Sequence, residues 1–197
     1  METSDAFKWT SSGGFVGLGT LGGTHSFGAD VSADGSVVVG SADTSGVRHA
    51  FRWDSQAGMT SLGMLPGFTV RSSAAAISAD GTFVVGSSIG PNVSGAPTSQ
   101  AYIWSQATGL TGLGDLPGGH YFSEARDVSA DGSVVVGIGT RSGLSAEAMI
   151  WDRVNGMRHL KDVLQNDYGL DLSGWTLHQA NGISDDGKTI VEMFHSK

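Results

Sequence analysis

The chain has 197 residues with 31 Gly, 4 Pro and no Cys. Only 15% of the residues are charged, against roughly 25% in an ordinary soluble domain. Eleven Lys plus Arg against 19 Asp plus Glu leave a net charge of −8, the wrong sign for tracking a phosphate backbone, so no nucleic-acid partner is expected. No apolar run is long enough to span a bilayer, and without Cys there is no disulfide, thiolate metal site or Cys nucleophile. The glycines follow no triplet period and stop short of low-complexity composition, so they punctuate structure.

Taken in chain order, the first predicted strand is Ala6-Phe7-Lys8-Trp9, followed by a polar turn and a second strand over Gly14–Leu18. After the loop Leu21-Gly22-Gly23, a strand over Ala29–Ser32 meets the tight turn Ala33-Asp34-Gly35. Asp bonds its own backbone there and Gly supplies positive φ. The next strand, Ser36–Ser41, carries Val37-Val38-Val39, a β-branched run expected of a strand covered on both faces. Strands over His49–Trp53 and Met59–Leu62 complete the unit. The same grammar returns in Ile77 to Gly86, Ala101–Trp104 and Gly109–Leu113, then in Val128 to Gly137, Ala148–Trp151 and Gly156–Leu160. One stretch departs from it: the spacing of Leu160, Val163 and Leu164 within His159–Asn166 predicts a short helix ending near Gly169. Ile183 to Glu192 supplies the last turn and strand.

These elements form a four-fold internal repeat with spacings of 44, 51 and 47 residues from Ala6 to Ala50, Ala101 and Ala148. Four strands per unit at this period predict an all-β fold, a β-propeller with four blades of four short antiparallel strands. The expected organisation is one domain, 1–197, with repeats at approximately 6–49, 50–100, 101–147 and 148–197. The phase adds a further expectation. Near Phe7 only a third and fourth strand are present, and at Ile190–Phe194 only a first and second, so strands from both termini would close the ring. A half-ring that pairs with a second chain stays open, making the chain a monomer or a homodimer.

Ala50-Phe51-Arg52-Trp53, the Leu-Gly-x-Leu-Pro-Gly loops at Leu62–Gly67 and Leu113–Gly118, and the run Val128–Gly137 resemble the HAF repeats, found mainly in bacterial proteins regarded as extracellular. The resemblance covers residues 6–192. It implies an extracellular or periplasmic location, and the family has no established catalytic residues to carry over. Two departures stand out: Val191-Glu192-Met193-Phe194 replaces the expected Val-Gly, and no secretion signal precedes the first unit.

Candidate sites are weighed against the repeat itself. Trp9, Trp53, Trp104 and Trp151 recur at one strand position, which points to packing between blades. Trp175 has no counterpart and is a candidate ligand-facing aromatic, with Tyr121 beside Phe122 another. Asp30-Val31-Ser32-Ala33-Asp34-Gly35 and the run from Asp127 to Gly132 mimic the first half of a calcium loop, which makes Asp30 and Asp127 candidate metal ligands. Turn chemistry explains Asp34, Asp80, Asp131 and Asp186 without metal.

The loops leading into the inner strands carry His25, Arg71, His120, Glu124, Arg126 and His178, which repetition does not explain and which a ring would converge on one face. Two functions are open. One is a binding module for a small molecule, glycan or protein at this loop face, with Arg71, Tyr121, Arg126 and Trp175 as ligand contacts. The alternative is a metal-dependent hydrolase, lactonase, esterase or glycosidase-like, in the central channel. It would use His25, His120, His178 and Glu124 as catalytic groups, with a divalent metal, calcium or zinc, on the histidines, Asp30 or Asp127. No Gly-x-Ser-x-Gly elbow supports serine chemistry.

Overall fold

The computed structural model describes residues 4–93, 96–118, 121–140 and 145–196. Strand β1 (Ala6–Thr10) pairs with β2 (Gly14–Gly19) as a hairpin. Three four-stranded antiparallel meanders follow, as the repeat predicts. The first holds β3 (Ser26–Val31), β4 (Val37–Asp43), β5 (Arg48–Asp54) and β6 (Gly58–Gly63). The second holds β7 (Arg71–Ile77), β8 (Phe83–Val93), β9 (Ala96–Ser105) and β10 (Gly109–Gly114). The third holds β11 (Ser123–Val128), β12 (Val134–Thr140), β13 (Ala146–Asp152) and β14 (Gly156–His159). Helix α1 (Leu160–Asn166) sits where the apolar spacing predicts it and buries Leu160 and Val163. A final hairpin joins β15 (Trp175–Ile183) to β16 (Ile190–Ser196).

The turn between first and second strands repeats atom for atom. Asp34 Oδ1 accepts from the Ser32 hydroxyl at 2.7 Å and the Ser36 N–H at 2.9 Å, and Gly35 takes φ 70°. Asp80, Asp131 and Asp186 make the same pair of bonds with their own serines and backbone. The glycine ending each Val-Val-Gly run answers a different need. A Cβ on Gly40, Gly86 or Gly137 would lie 2.0–2.1 Å from the carbonyl oxygen of Phe27, Ser73 or Glu124. No other residue fits the strand there. The adjacent space is filled by Phe51, Tyr102 and Met149, each fully buried opposite its glycine.

The core lies between sheets rather than within one layer. Phe51 and Trp53 pack beneath the first hairpin with Ala6 and Leu18. Val39, Ile77, Val84 and Tyr102 fill the space between the first and second meanders. Val85, Val128, Val135 and Met149 fill the next, and Val136, Leu160, Leu177 and Ala180 the last. Inner strands β3, β7, β11 and β15 approach one another more closely than the outer strands do, so the sheets fan out as an arc. One parallel bridge between successive units, at Ser4–His25, Arg48–Arg71 and Ser99–Phe122, marks the narrow side.

No sheet closes this arc into the expected ring among the described residues. β1–β2 and β15–β16 form two separate two-stranded sheets, and no pairing joins them among the described residues. Inter-blade tryptophan packing is correspondingly incomplete: Trp53 is buried, Trp104 and Trp151 pack against their clusters, but Trp9 is 58% exposed. Among the described residues, no sheet beyond the first hairpin covers that face.

Candidate functional site

On β7 and β11 the positions two and four residues before the closing Ile or Val line a cavity on the concave side of the arc. The nearer position holds Ala29, Ala75, Arg126 and Asn181; the farther holds Phe27, Ser73, Glu124 and Gln179. Only β11 places two charged groups here. Glu124 and Arg126 therefore stand on a strand rather than in a leading loop, because the inner strands begin three residues earlier than the sequence pattern suggests. Arg71 is likewise the first residue of β7, at the bridge to Arg48.

Arg71, Glu124 and Arg126 come together in a cavity of about 310 Å³ between the first three meanders, with Ser73 and Ser87 beside them. Arg48 also lines it, which the sequence reading missed. The available signal was positional: Arg48 lies two residues before Ala50, where the neighbouring units have Ser4 and Ser99. A second cavity of about 580 Å³ shares Arg71, Ile89 and Glu124 and adds Val70 and Phe122, giving the site an apolar flank.

The arginines are not equivalent. Arg48 Nε donates to Asp43 Oδ1 at 2.8 Å, and its guanidinium lies 4.7 Å from the centre of the Phe27 ring. That guanidinium, with smaller help from His25, holds the Asp43 carboxyl below its usual range against the opposing effect of burial. Arg71 and Arg126 form no ion pair among the described residues. The Arg126 Nε is buried with no hydrogen-bond partner, an arrangement folded proteins rarely leave unused.

The other predicted residues lie elsewhere. His25 Nδ1 is 2.7 Å from Thr24 Oγ1 and 3.2 Å from Asp43 Oδ2, and its ring stacks on Phe27. His178 stands on β15 at the position of Ser26, Ser72 and Ser123. His120 lies outside the described residues. Tyr121 is 70% exposed, and Trp175 rests against Phe194 with ring centres 4.6 Å apart; neither lines the cavity. Asp30 and Asp127 have structural partners: each accepts the N–H of its own successor and, through Oδ2, the N–H of Ile77 or Ile183 in the next unit at 2.9 and 2.7 Å. Burial raises the Asp127 carboxyl above its usual range, opposed by those two N–H bonds. Among the described residues, no three His, Asp or Glu side chains cluster as metal ligands.

Comparison with known proteins adds fold but no activity. No family model and no curated protein matches the chain. Among solved structures, TolB from Acinetobacter baumannii superposes with a TM-score of 0.53 at 21% identity, over 76% of this chain and 35% of that one. A TolB-type structure from Agrobacterium tumefaciens gives 0.60 at 16% identity, over 98% of this chain and 66% of that one. The chain thus spans about a third and about two thirds of their lengths, and its fold is that of a β-propeller. Among the described residues, no helix is long and apolar enough to cross a membrane.

Proposed function

We propose that the chain is a propeller-type binding module of the HAF-repeat kind, acting outside the cytoplasm, whose ligand sits in the concave cavity. The observation that carries this reading is the meeting of Arg71, Glu124 and Arg126, charged exceptions to the repeat, in one cavity whose other lining residues are small or apolar apart from the ion-paired Arg48. Repetition accounts for the serines and glycines; it does not account for these three. Small molecules and glycans are the ligands considered, with a protein loop as a larger occupant. Saturation-transfer NMR against small-molecule and glycan collections tests it. Hits that vanish in Arg126→Ala and persist in Arg52→Ala support the reading; hits indifferent to Arg126→Ala overturn it.

The same proposal extends to the ends of the arc. β15–β16 supply a first and second strand, and β1–β2 a third and fourth. In the three complete sheets Val38, Val84 and Val135 face Trp53, Trp104 and Trp151. The same register sets Ile190 opposite Trp9, uniting the two hairpins as one blade, either within a ring or between two copies. It also sets Glu192 opposite Phe7, where the other units place glycine, so this blade would be the irregular one.

A further inference from the structure

We propose that the cavity takes a small carboxylate carrying a hydrogen-bond donor on the neighbouring carbon, an α-hydroxy or α-amino acid. Arg71 and Arg126 hold the carboxylate, and Glu124 accepts from the donor. This rests on the binding-module reading above and names its ligand class.

Charge placement argues first. In a chain of net charge −8, three of seven arginines line one cavity that holds a single carboxylate, Glu124. Arg48 is already matched by Asp43, so the positive charge left over belongs to Arg71 and Arg126. Planar guanidinium forks match carboxylate geometry and are less heavily hydrated than an ammonium, which suits them to hold an anion away from water. The buried, unpartnered Nε of Arg126 is a donor whose lost hydration nothing among the described residues replaces. A carboxylate oxygen supplies the missing acceptor.

Glu124 then narrows the class. It stands two residues before Arg126 on β11; a bulge at Arg126 interrupts the strand's alternation, and both residues line the cavity. A carboxylate in the cavity repels a dense anion such as phosphate but accepts from a hydroxyl or ammonium group. Ser73 and Ser87 add hydroxyls that donate or accept, while Ile89 offers an apolar wall for a short carbon chain. A volume of about 310 Å³ lies at the small end of the roughly 300–1,000 Å³ typical of ligand pockets.

The test is NMR titration of the whole chain with L-lactate, L-alanine, propionate, inorganic phosphate and glycerol as probes, at low and moderate salt. Lactate or alanine is expected to shift the Arg71, Glu124 and Arg126 resonances and to bind about tenfold more tightly than propionate or phosphate. Comparing lactate with alanine separates the hydroxy from the amino acid. Glu124→Gln should erase the preference over propionate, and Arg71→Gln or Arg126→Gln should weaken every carboxylate by about tenfold or more. Arg126→Lys, which keeps the charge but not the fork, should also weaken binding and serves if the glutamine variant does not fold. Binding unchanged in both arginine variants, or phosphate equal to lactate, overturns the ligand class. Glycerol shifting these resonances while carboxylates do not overturns it too, yet leaves the binding-module reading standing. No shift from any probe, with the wider collections also silent, ends both.

Discussion

Ser26, Ser72 and Ser123 occupy one repeat position, five residues before the closing Val or Ile, and each ties its inner strand to the preceding unit. The Ser72 hydroxyl accepts from Ala50 N–H at 2.9 Å and donates to the Gly63 carbonyl, and it is fully buried. Ser26 and Ser123 make the same two bonds one unit before and after. Replacing such a group leaves buried backbone partners unsatisfied, so Ser72→Ala should cost about 1–3 kcal/mol in chemical denaturation. A change within error would show that the latch contributes nothing. Gly86→Ala is a steric counterpart. Its Cβ would meet the Ser73 carbonyl oxygen at 2.0 Å, and overpacking of this kind costs about 1–3 kcal/mol. Gly46→Ala, with open space around it, is the control and should be near neutral. The serine recurrence is visible in the sequence but reads there as polar filler, because its partners are backbone atoms seven to nine and some twenty residues away.

At the scale of the element, the Ser-x-Asp-Gly turn holds each first strand to its second. The Ser36 N–H and then the Ser32 hydroxyl lower the Asp34 carboxyl from 3.8 to about 2. The Ser133 hydroxyl and N–H, with Ser129, do the same for Asp131. A carboxyl depressed in the folded state favours folding above its unfolded value and loses that contribution as pH falls through the folded one. Thermal unfolding should therefore drop in midpoint between about pH 4 and about pH 2. In Asp34→Asn/Asp131→Asn the wild-type drop should be blunted; an identical profile would show that other groups govern acid unfolding. These turns were legible from Ala-Asp-Gly and Asp-Asp-Gly because their bonds span two residues. The starts of the inner strands were not: Ser26 and Ser123 pair with Ala42 and Gly139 on the following strand, a contact that no local pattern encodes.

For the whole molecule, the two terminal hairpins leave apolar side chains uncovered. Phe15 is 73% exposed, Trp9 58% and Val191 60%, and edges of this kind invite pairing. If β15–β16 and β1–β2 unite as one blade, Trp9 passes into a covered environment. Light scattering combined with Trp9 fluorescence, isolated by comparison with Trp9→Phe, reads the result. A shielded Trp9 in a monomer means a ring within one chain, and in a dimer it means two arcs joined end to end. A monomer with Trp9 in water overturns the joined blade.

Glycine, abundant from the first count, serves two local purposes that the sequence by itself determined: positive φ in the Asp-Gly turns and room beside a carbonyl in the Val-Val-Gly runs. The strand order, the short helix and the phase of the repeat were likewise set by β-branched runs, turn residues and apolar spacing, which act over a few residues. Only the tertiary structure decided how the sheets fan out, that Arg48 joins Arg71, Glu124 and Arg126, that Asp30 and Asp127 bond the next unit, and that the terminal hairpins stand apart. Each of these depends on contacts between groups brought together by the angle between sheets, and that angle follows from side-chain packing between units, which the repeat pattern does not specify.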